Sequence, residues 1–155
     1  MGISVDATIC FGVVVDSGDL PWKKYDPETG ENIYESEEDW WREINGYKNP
    51  YEIWEDADNK KPGITDEDEE RYYDYIHQWD KRYPMPFELL YFWSYDNTDN
   101  FILCVPSSII CADGCEKLNI SKIKVSNQAK EKFREFLKKY KIKKQPTWLL
   151  SALYG

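Results

Sequence analysis

Strict alternation of apolar residues marks the first segment of the chain. From residue 3 to residue 15, "ISVDATICFGVVV", every odd position is apolar, and most even positions carry polar or small residues. A period of two is the pattern of a β-strand that turns one face toward a core. The segment therefore predicts a long strand, with Gly12 as the place for a bend or a bulge. A strand of this length needs partners, so the chain must build a sheet.

Two further apolar segments, 87–95 and 100–105, flank the turn sequence "DNTDN" and predict an antiparallel hairpin. Both segments are apolar on both faces, which predicts inner strands that are covered on two sides. "SSIICA" after Pro106 and "ISKIKV" at 120–125 are further strand candidates. The apolar end of the chain, "PTWLLSALYG", is expected to pack against the chain itself.

Three segments have helical patterns. Ser36 is a candidate N-cap for a helix over 37–44, and Thr65 caps a second helix that Pro84 ends. A third helix is predicted over about 127–140. The predicted fold class is α+β, with an antiparallel sheet of four to five strands packed with two to three helices. The 155 residues are expected to form one domain, with an acidic, aromatic-rich insertion at about 16–84.

Charge divides the chain into two parts. The net charge is −9, yet residues 16–84 hold 21 acidic and 9 basic residues, whereas residues 85–155 hold 7 acidic and 11 basic residues. An acidic surface repels nucleic acid and lipid headgroups and attracts basic surfaces. We therefore expect no direct DNA binding and no membrane contact. The predicted partner is a protein with a basic, nucleic-acid-binding surface.

Location and cysteine chemistry follow from what the sequence contains. It has no apolar run near 18 residues and no basic start before an apolar segment, so a cytoplasmic protein is expected. Its cysteines are then expected to be reduced. Cys104, Cys111 and Cys115 lack the paired spacing of a structural zinc site, so no metal and no cofactor are predicted, although binding by these three stays open.

Catalytic motifs are missing from the sequence. It contains no G-x-S-x-G, no Walker A and no G-x-G-x-x-G pattern. The lone histidine, His77, has no evident nucleophile or orienting partner, and acidic pairs at helix starts are explained by the helix dipole. A protein without enzymatic activity is favoured. A small hydrolase or nuclease with an unrecognised site remains an alternative.

The segment from Ser36 to Asp56 places three tryptophans among seven carboxylates. Its aromatic side chains can cap the sheet from inside while its acids face solvent. Alternatively, tryptophans ringed by acids form an interface for a basic partner, because aromatic residues are favoured interface anchors. The predicted partner-binding residues are Trp22, Glu37, Glu38, Asp39, Trp40, Trp41, Trp54, Glu55 and Asp56.

Five stretches of the sequence carry a resemblance: "ISVDATICFGVVV", "LPW", "DWWREINGYKNP", "CVPSSII" and "PTWLLSALYG". Together they resemble small uncharacterised acidic proteins encoded by tailed bacteriophages. The resemblance implies a context, because small non-structural phage proteins often block restriction, CRISPR or nucleotide-signalling defences. It implies no active-site residue.

The leading functional hypothesis combines these observations. It is a phage-encoded, non-enzymatic binding protein that inhibits a host or anti-phage defence protein, as anti-CRISPR proteins do, in the cytoplasm of the infected host cell. An alternative is a protein that sequesters a nucleotide signal with the basic segment 117–144 and an aromatic side chain that stacks on the base. The oligomeric state is left open.

Overall fold

The computed structural model describes residues 5–48, 50, 51, 53, 60–93, 99–112 and 123–154. Over these residues the fold is α+β, with a five-stranded antiparallel sheet and three helices, which confirms the predicted class. The strands are β1 (Val5–Asp16), β2 (Glu88–Trp93), β3 (Asp99–Cys104), β4 (Ile110–Ala112) and β5 (Thr147–Tyr154). The helices are α1 (Glu37–Ile44), α2 (Asp66–Arg82) and α3 (Asn127–Lys139).

Strand β1 organises the sheet because it pairs along both of its edges. Residues 5–12 pair with β5, and Gly12 also pairs with Cys104 of β3, so β3 and β5 lie on opposite edges. Residues 7–9 pair with both β4 and β5, which places β4 after β3 along the same edge. The alternating first segment is therefore confirmed as a strand, and the apolar last segment packs as its partner.

Gly12 lies where β1 and β3 approach closely. A Cβ atom at this position would stand 2.2 Å from the carbonyl oxygen of Leu103 and 2.8 Å from Cα of Cys104. Such distances exclude any side chain, so the space between the strands requires glycine. Strand β1 continues through Gly12, and its register against β3 and β5 shows no bulge at this residue.

The interruption lies in the neighbouring strand instead. A 3₁₀ turn, Pro106–Ser108, separates β3 from β4 opposite the middle of β1. The buried hydroxyl of Ser108 accepts a hydrogen bond from the N–H of Phe11 at 2.8 Å, and the N–H of Val105 donates to the Phe11 carbonyl at 2.9 Å. These two bonds give hydrogen-bond partners to the N–H and the carbonyl of Phe11, at the point in β1 where β3 has ended and β4 has not yet begun.

The hairpin of β2 and β3 is confirmed as antiparallel. In the described sheet β3 lies between β2 and β1, as predicted for an inner strand, but β2 lies at an edge. Tyr91 of β2 is accordingly exposed. The strand candidate at 120–125 falls partly outside the described residues, and residues 123–125 are not in a strand.

Helix α3 packs on one face of the sheet. Its Phe133, Phe136 and Leu137 are buried, and the ammonium group of Lys130 lies 4.9 Å from the ring centre of Phe11 in β1. Hydrophobic residues at these helical spacings form an apolar stripe, which packs against the core of a protein. The main core forms beneath this helix, on the face of β1 and β3 that carries Phe11, Val13, Val15, Phe101 and Leu103.

The opposite face of the sheet carries a smaller cluster. Buried Cys10, Ile102 and Cys104 pack there against Leu90, Ile109 and Leu149. The hydrogen bond between the two thiols and the burial of Cys104 raise the pKa of Cys104 above its usual range. Cys104 therefore stays a neutral thiol and packs as a small hydrophobic side chain.

The chain divides into two compact units. Unit 1 comprises Met1–Glu31 and Pro86–Gly155, with the whole sheet and α3, and unit 2 comprises Asn32–Met85, with α1 and α2. The second unit lies within the acidic region that was expected as an insertion at about 16–84. A single domain with an insertion stays a prediction. Within the described residues, no helix has the length and apolar character required to span a membrane.

Candidate functional site

The entire net charge of the chain belongs to unit 2. Its residues 32–85 include 16 acidic and 7 basic residues, a net charge of −9, whereas the residues of unit 1 include 13 of each. Unit 2 also contains neither leucine nor valine but 11 aromatic residues. A unit of this composition must build its interior from aromatic rings and turn its carboxylates toward solvent.

Helix α1 begins with acids for a local reason. The hydroxyl of Ser36 accepts a hydrogen bond from the N–H of Asp39 at 3.2 Å, as predicted for an N-cap. The first-turn residues Glu37, Glu38 and Asp39 lie at the positive end of the helix dipole. Asp39 is exposed, whereas Glu37 and Glu38 are half-buried.

Helix α2 begins with a complete capping box. The Thr65 hydroxyl accepts from the N–H of Asp68, and the Asp68 carboxylate accepts from the N–H of Thr65 at 3.0 Å. The Thr65 hydroxyl also donates to the Asp68 carboxylate at 2.7 Å, and this bond, followed by the one from the Thr65 N–H, holds the pKa of Asp68 below its ordinary value. Further along the helix, Glu70, Tyr73 and Asp74 are all exposed at i, i+3 and i+4 spacing, which places them side by side on the helix.

A bidentate ion pair joins the two helices of unit 2. Arg42 of α1 donates to both carboxylate oxygens of Asp80 in α2, at 3.0 Å and 2.8 Å. These hydrogen bonds are the main reason that the pKa of Arg42 is raised above its usual range. Beside them, the indole N–H of Trp41 donates to the carbonyl of Tyr83 at 2.7 Å. The two contacts fix the register of α1 against α2.

Aromatic rings form the interior between these helices and the segment after α1. Tyr47 contacts Tyr75 and Trp79 at ring-centre distances of 5.8 Å and 5.4 Å, and Trp79 contacts Tyr83 at 4.6 Å. Burial, more than any other effect, raises the pKa of Tyr47 to about 12. The Tyr47 hydroxyl and the Trp79 indole N–H are buried, with no hydrogen-bond partner among the described residues.

A small cavity opens between α1 and α2. Its volume is about 270 Å³, and Tyr47, Tyr72 and Ile76 contribute rings and an aliphatic side chain to its wall. Asp39, Arg42 and Glu43 complete the lining. The Glu43 carboxylate accepts a hydrogen bond from the Tyr34 hydroxyl at 3.3 Å. The acids of this cavity therefore already have partners within unit 2.

The predicted partner-binding residues do not form one surface. Trp22 belongs to the core of unit 1, where its ring stacks on Phe87 at 5.2 Å, and Trp40 is buried in unit 2 with an exposure of 2%. A side chain in the interior offers no surface to a partner. Trp41 is half-buried and bonded through its indole N–H. Trp54, Glu55 and Asp56 lie outside the described residues, so their role stays a prediction.

Exposed residues of α2 were missed by the sequence interpretation. The apolar stripe of this helix consists of Tyr72, Ile76, Trp79 and Tyr83, which are all partly buried. The residue next to that stripe, Tyr73, is 53% exposed and carries an aromatic ring on the acidic side of the helix. Helical spacing from Glu70 and Asp74 was the signal that would have identified it.

The described cysteine and histidine candidates differ in their surroundings. Cys104 is buried in the sheet, whereas Cys111 is exposed in β4, and its sulfur lies 3.6 Å from the Thr8 hydroxyl. Cys115 falls outside the described residues. His77 is exposed on α2 in unit 2. In the part of the chain that the structure describes, no group of three or more His, Cys, Asp or Glu side chains is placed to hold a metal ion.

Comparison with known proteins identifies no relative, since no family model, no curated protein and no solved structure matches the chain. The function is therefore inferred from the charge distribution and geometry of the chain.

Proposed function

We propose that the protein is a phage-encoded, non-enzymatic binding protein that inhibits a host or anti-phage defence protein through the acidic surface of unit 2. The acidic surface is defined as the exposed carboxylates of α1 and α2, together with the ring of Tyr73. Its members are Asp39, Glu43, Asp66, Glu67, Glu70, Tyr73 and Asp74. The phage context comes from the resemblance of the sequence, and the mode of binding comes from the charge.

The observation that carries the proposal is the concentration of the entire net charge, −9, in one unit. A localised negative field accelerates encounter with a basic surface and disfavours acidic partners. Basic clefts that hold nucleic acid are surfaces of this kind. A protein that occupies such a cleft excludes the nucleic acid, and this inhibition needs no catalytic group.

Glu70 and Asp74 are the two acids of this surface with the fewest interactions among the described residues. They are one helical turn apart, and no salt bridge joins either of them to a base among the described residues. Like charges at i and i+4 destabilise a helix by a few tenths of a kcal/mol, about 0.2–0.5 kcal/mol. A basic partner would remove this repulsion, and the exposed ring of Tyr73 beside Glu70 supplies an aromatic contact.

Affinity purification from a host cell tests the proposal. Tagged parent protein is expected to retain a basic host or defence protein, and the charge reversal Glu70→Lys/Asp74→Lys is expected to release it. The control Glu28→Lys/Glu135→Lys makes the same charge change at exposed acids of unit 1 and should retain the partner. Raising the salt concentration should weaken retention of the parent, because surface charge is screened.

Two results would contradict the proposal. Equal retention by the parent and the Glu70→Lys/Asp74→Lys variant would exclude the electrostatic contact at α2. A purified partner whose nucleic-acid binding or cleavage is unchanged by excess protein would exclude inhibition. Circular dichroism of both variants shows whether the helices are retained, so that loss of binding is not confused with loss of folding.

A further inference from the structure

A cleft lined by five basic side chains lies at the C-terminal end of α3, in unit 1. Its volume is about 570 Å³, and it is lined by Arg134 and Lys138 of α3 and by Lys141, Lys143 and Lys144 of the segment that follows. We propose that this basic cleft binds the oligophosphate group of a small molecule. The site belongs to unit 1 and does not depend on the function proposed for the acidic surface.

The turn after α3 builds the cleft. The N–H of Ile142 donates to the carbonyl of Leu137 at 2.9 Å, and Lys141 between them has a φ of 60°. This hydrogen-bond pattern is a helix C-cap in which the left-handed position normally holds glycine. Lysine strains the backbone there. Its presence adds a cation to a turn that already directs Lys143 and Lys144 to the same cleft.

The cations of the cleft are only partly neutralised by the residues that the structure describes. Lys144 lies 3.8 Å from Asp16 and 3.5 Å from Asp19, and Arg134 is paired with Glu131. Within the described residues, Lys138, Lys141 and Lys143 form no salt bridge. Several like charges around one cavity repel one another, and a bound anion of high charge density removes this repulsion.

The size and lining of the cleft define the ligand. A volume of about 570 Å³ is in the range of small-molecule sites. Among the residues that the structure describes, the lining includes no aromatic ring on which a base would stack. A long nucleic acid would also be repelled by the net charge of −9 of the chain. A compact oligophosphate interacts mainly with the cations of the cleft. The phosphates, and not a base, are therefore recognised.

Isothermal titration calorimetry of the full chain with inorganic tripolyphosphate at low salt tests this site. The parent is expected to bind, and Lys138→Gln/Lys141→Gln/Lys143→Gln is expected to lose at least about tenfold in affinity, since charge-assisted hydrogen bonds are removed. The matched control Lys24→Gln/Lys124→Gln/Lys132→Gln removes the same charge from exposed positions outside the cleft. It should stay within about twofold of the parent.

Two further measurements define the ligand class and distinguish a loss of binding from a loss of folding. ATP should bind within about threefold of tripolyphosphate, because the base adds no contact. Lys141→Gly keeps the left-handed turn and removes the charge, so its affinity should fall while its melting temperature does not. The proposal is overturned if the parent does not bind tripolyphosphate, if the triple variant binds as the parent does, or if a single-stranded oligonucleotide binds at least about tenfold more tightly.

Discussion

Arg42 and Asp80 face each other across unit 2, with both carboxylate oxygens of Asp80 bonded to the guanidinium group at 3.0 Å and 2.8 Å. The side chain of Arg42 is only 19% exposed and that of Asp80 is 43% exposed. A half-buried bidentate pair is stronger than a flexible surface pair, yet solvent still screens it. It joins α1 to α2 in a unit that has few aliphatic residues to hold it together.

Breaking this ion pair should loosen unit 2. We expect Arg42→Gln and Asp80→Asn to destabilise the protein and to show a coupling energy of about 1 kcal/mol in a double-mutant cycle. Urea unfolding followed by tryptophan fluorescence measures it, because four of the seven tryptophans belong to unit 2. The exposed pair Glu67–Arg71 is the control, with a coupling no greater than about 0.5 kcal/mol. Equal coupling in both pairs would contradict a special role for Arg42.

Adding one methyl group at Gly12 should disrupt the sheet. Gly12→Ala places a Cβ atom 2.2 Å from the Leu103 carbonyl oxygen, so the strands must separate. We expect a loss of about 3 kcal/mol in the free energy of unfolding. Gly18→Ala is the control, since no atom lies within 4 Å of its Cβ position, and it should change stability by less than about 1 kcal/mol. Similar melting temperatures for the two variants would refute the close approach.

Removing the Tyr47 hydroxyl should stabilise unit 2. This hydroxyl is buried without a partner in the described part of the chain, so it has lost its contact with water without compensation. We expect Tyr47→Phe to raise the free energy of unfolding at neutral pH by about 1 kcal/mol. Tyr73→Phe, at an exposed position, should leave it unchanged. Destabilisation by Tyr47→Phe would indicate that the hydroxyl has a favourable contact.

The raised pKa of Tyr47 also predicts a pH dependence. Burial in the folded state favours the neutral phenol, so the pKa of Tyr47 rises from 10 to about 12 on folding. Ionisation of Tyr47 therefore leaves the free energy of unfolding unchanged below pH 10. It lowers this free energy as the pH rises from 10 through about 12. Melting temperatures of the parent should therefore fall across this interval more steeply than those of Tyr47→Phe. Parallel curves for the two proteins would exclude a buried phenol at this position.

Thiol reactivity should separate the cysteines. Cys10 and Cys104 are buried at 1% and 0% exposure, and Cys111 is exposed. Since reaction requires an accessible thiolate, we expect iodoacetamide to label Cys111 in the folded protein and to label Cys10 and Cys104 only after unfolding. Peptide mapping by mass spectrometry assigns each product. Labelling of Cys104 at the rate of Cys111 would show that the sheet does not bury it.

Local patterns in the sequence predicted the elements but not their environment. Ser36 and Thr65 identify the starts of α1 and α2 because capping is decided within four residues. The alternation over 3–15 likewise identifies β1. Burial depends on contacts that are distant in sequence, so the sequence left open whether Trp40 faces the interior or a partner, and it gave no signal that Trp22 is buried. The edge position of β2 has the same cause, since strand order is not encoded locally.

The candidate sites were predictable to different degrees. Net acidity at 16–84 and the basic segment 117–144 are visible in the sequence, but the left-handed turn at Lys141 that forms the basic cleft is not. The alternative of a nucleotide-sequestering protein and that of a hydrolase or nuclease both stay predictions. The predicted cytoplasmic location likewise stays a prediction.

The pairing of β1 with β5 has a consequence for the order of folding. Residues 5–12 are synthesised long before their partners at 147–154, and the partners of β1 in β3 and β4 lie beyond the whole of unit 2. Contacts this far apart in sequence slow folding, whereas unit 2 is one continuous segment. We therefore expect unit 2 to fold first on the ribosome, while β1 stays unpaired until its partner strands have been synthesised.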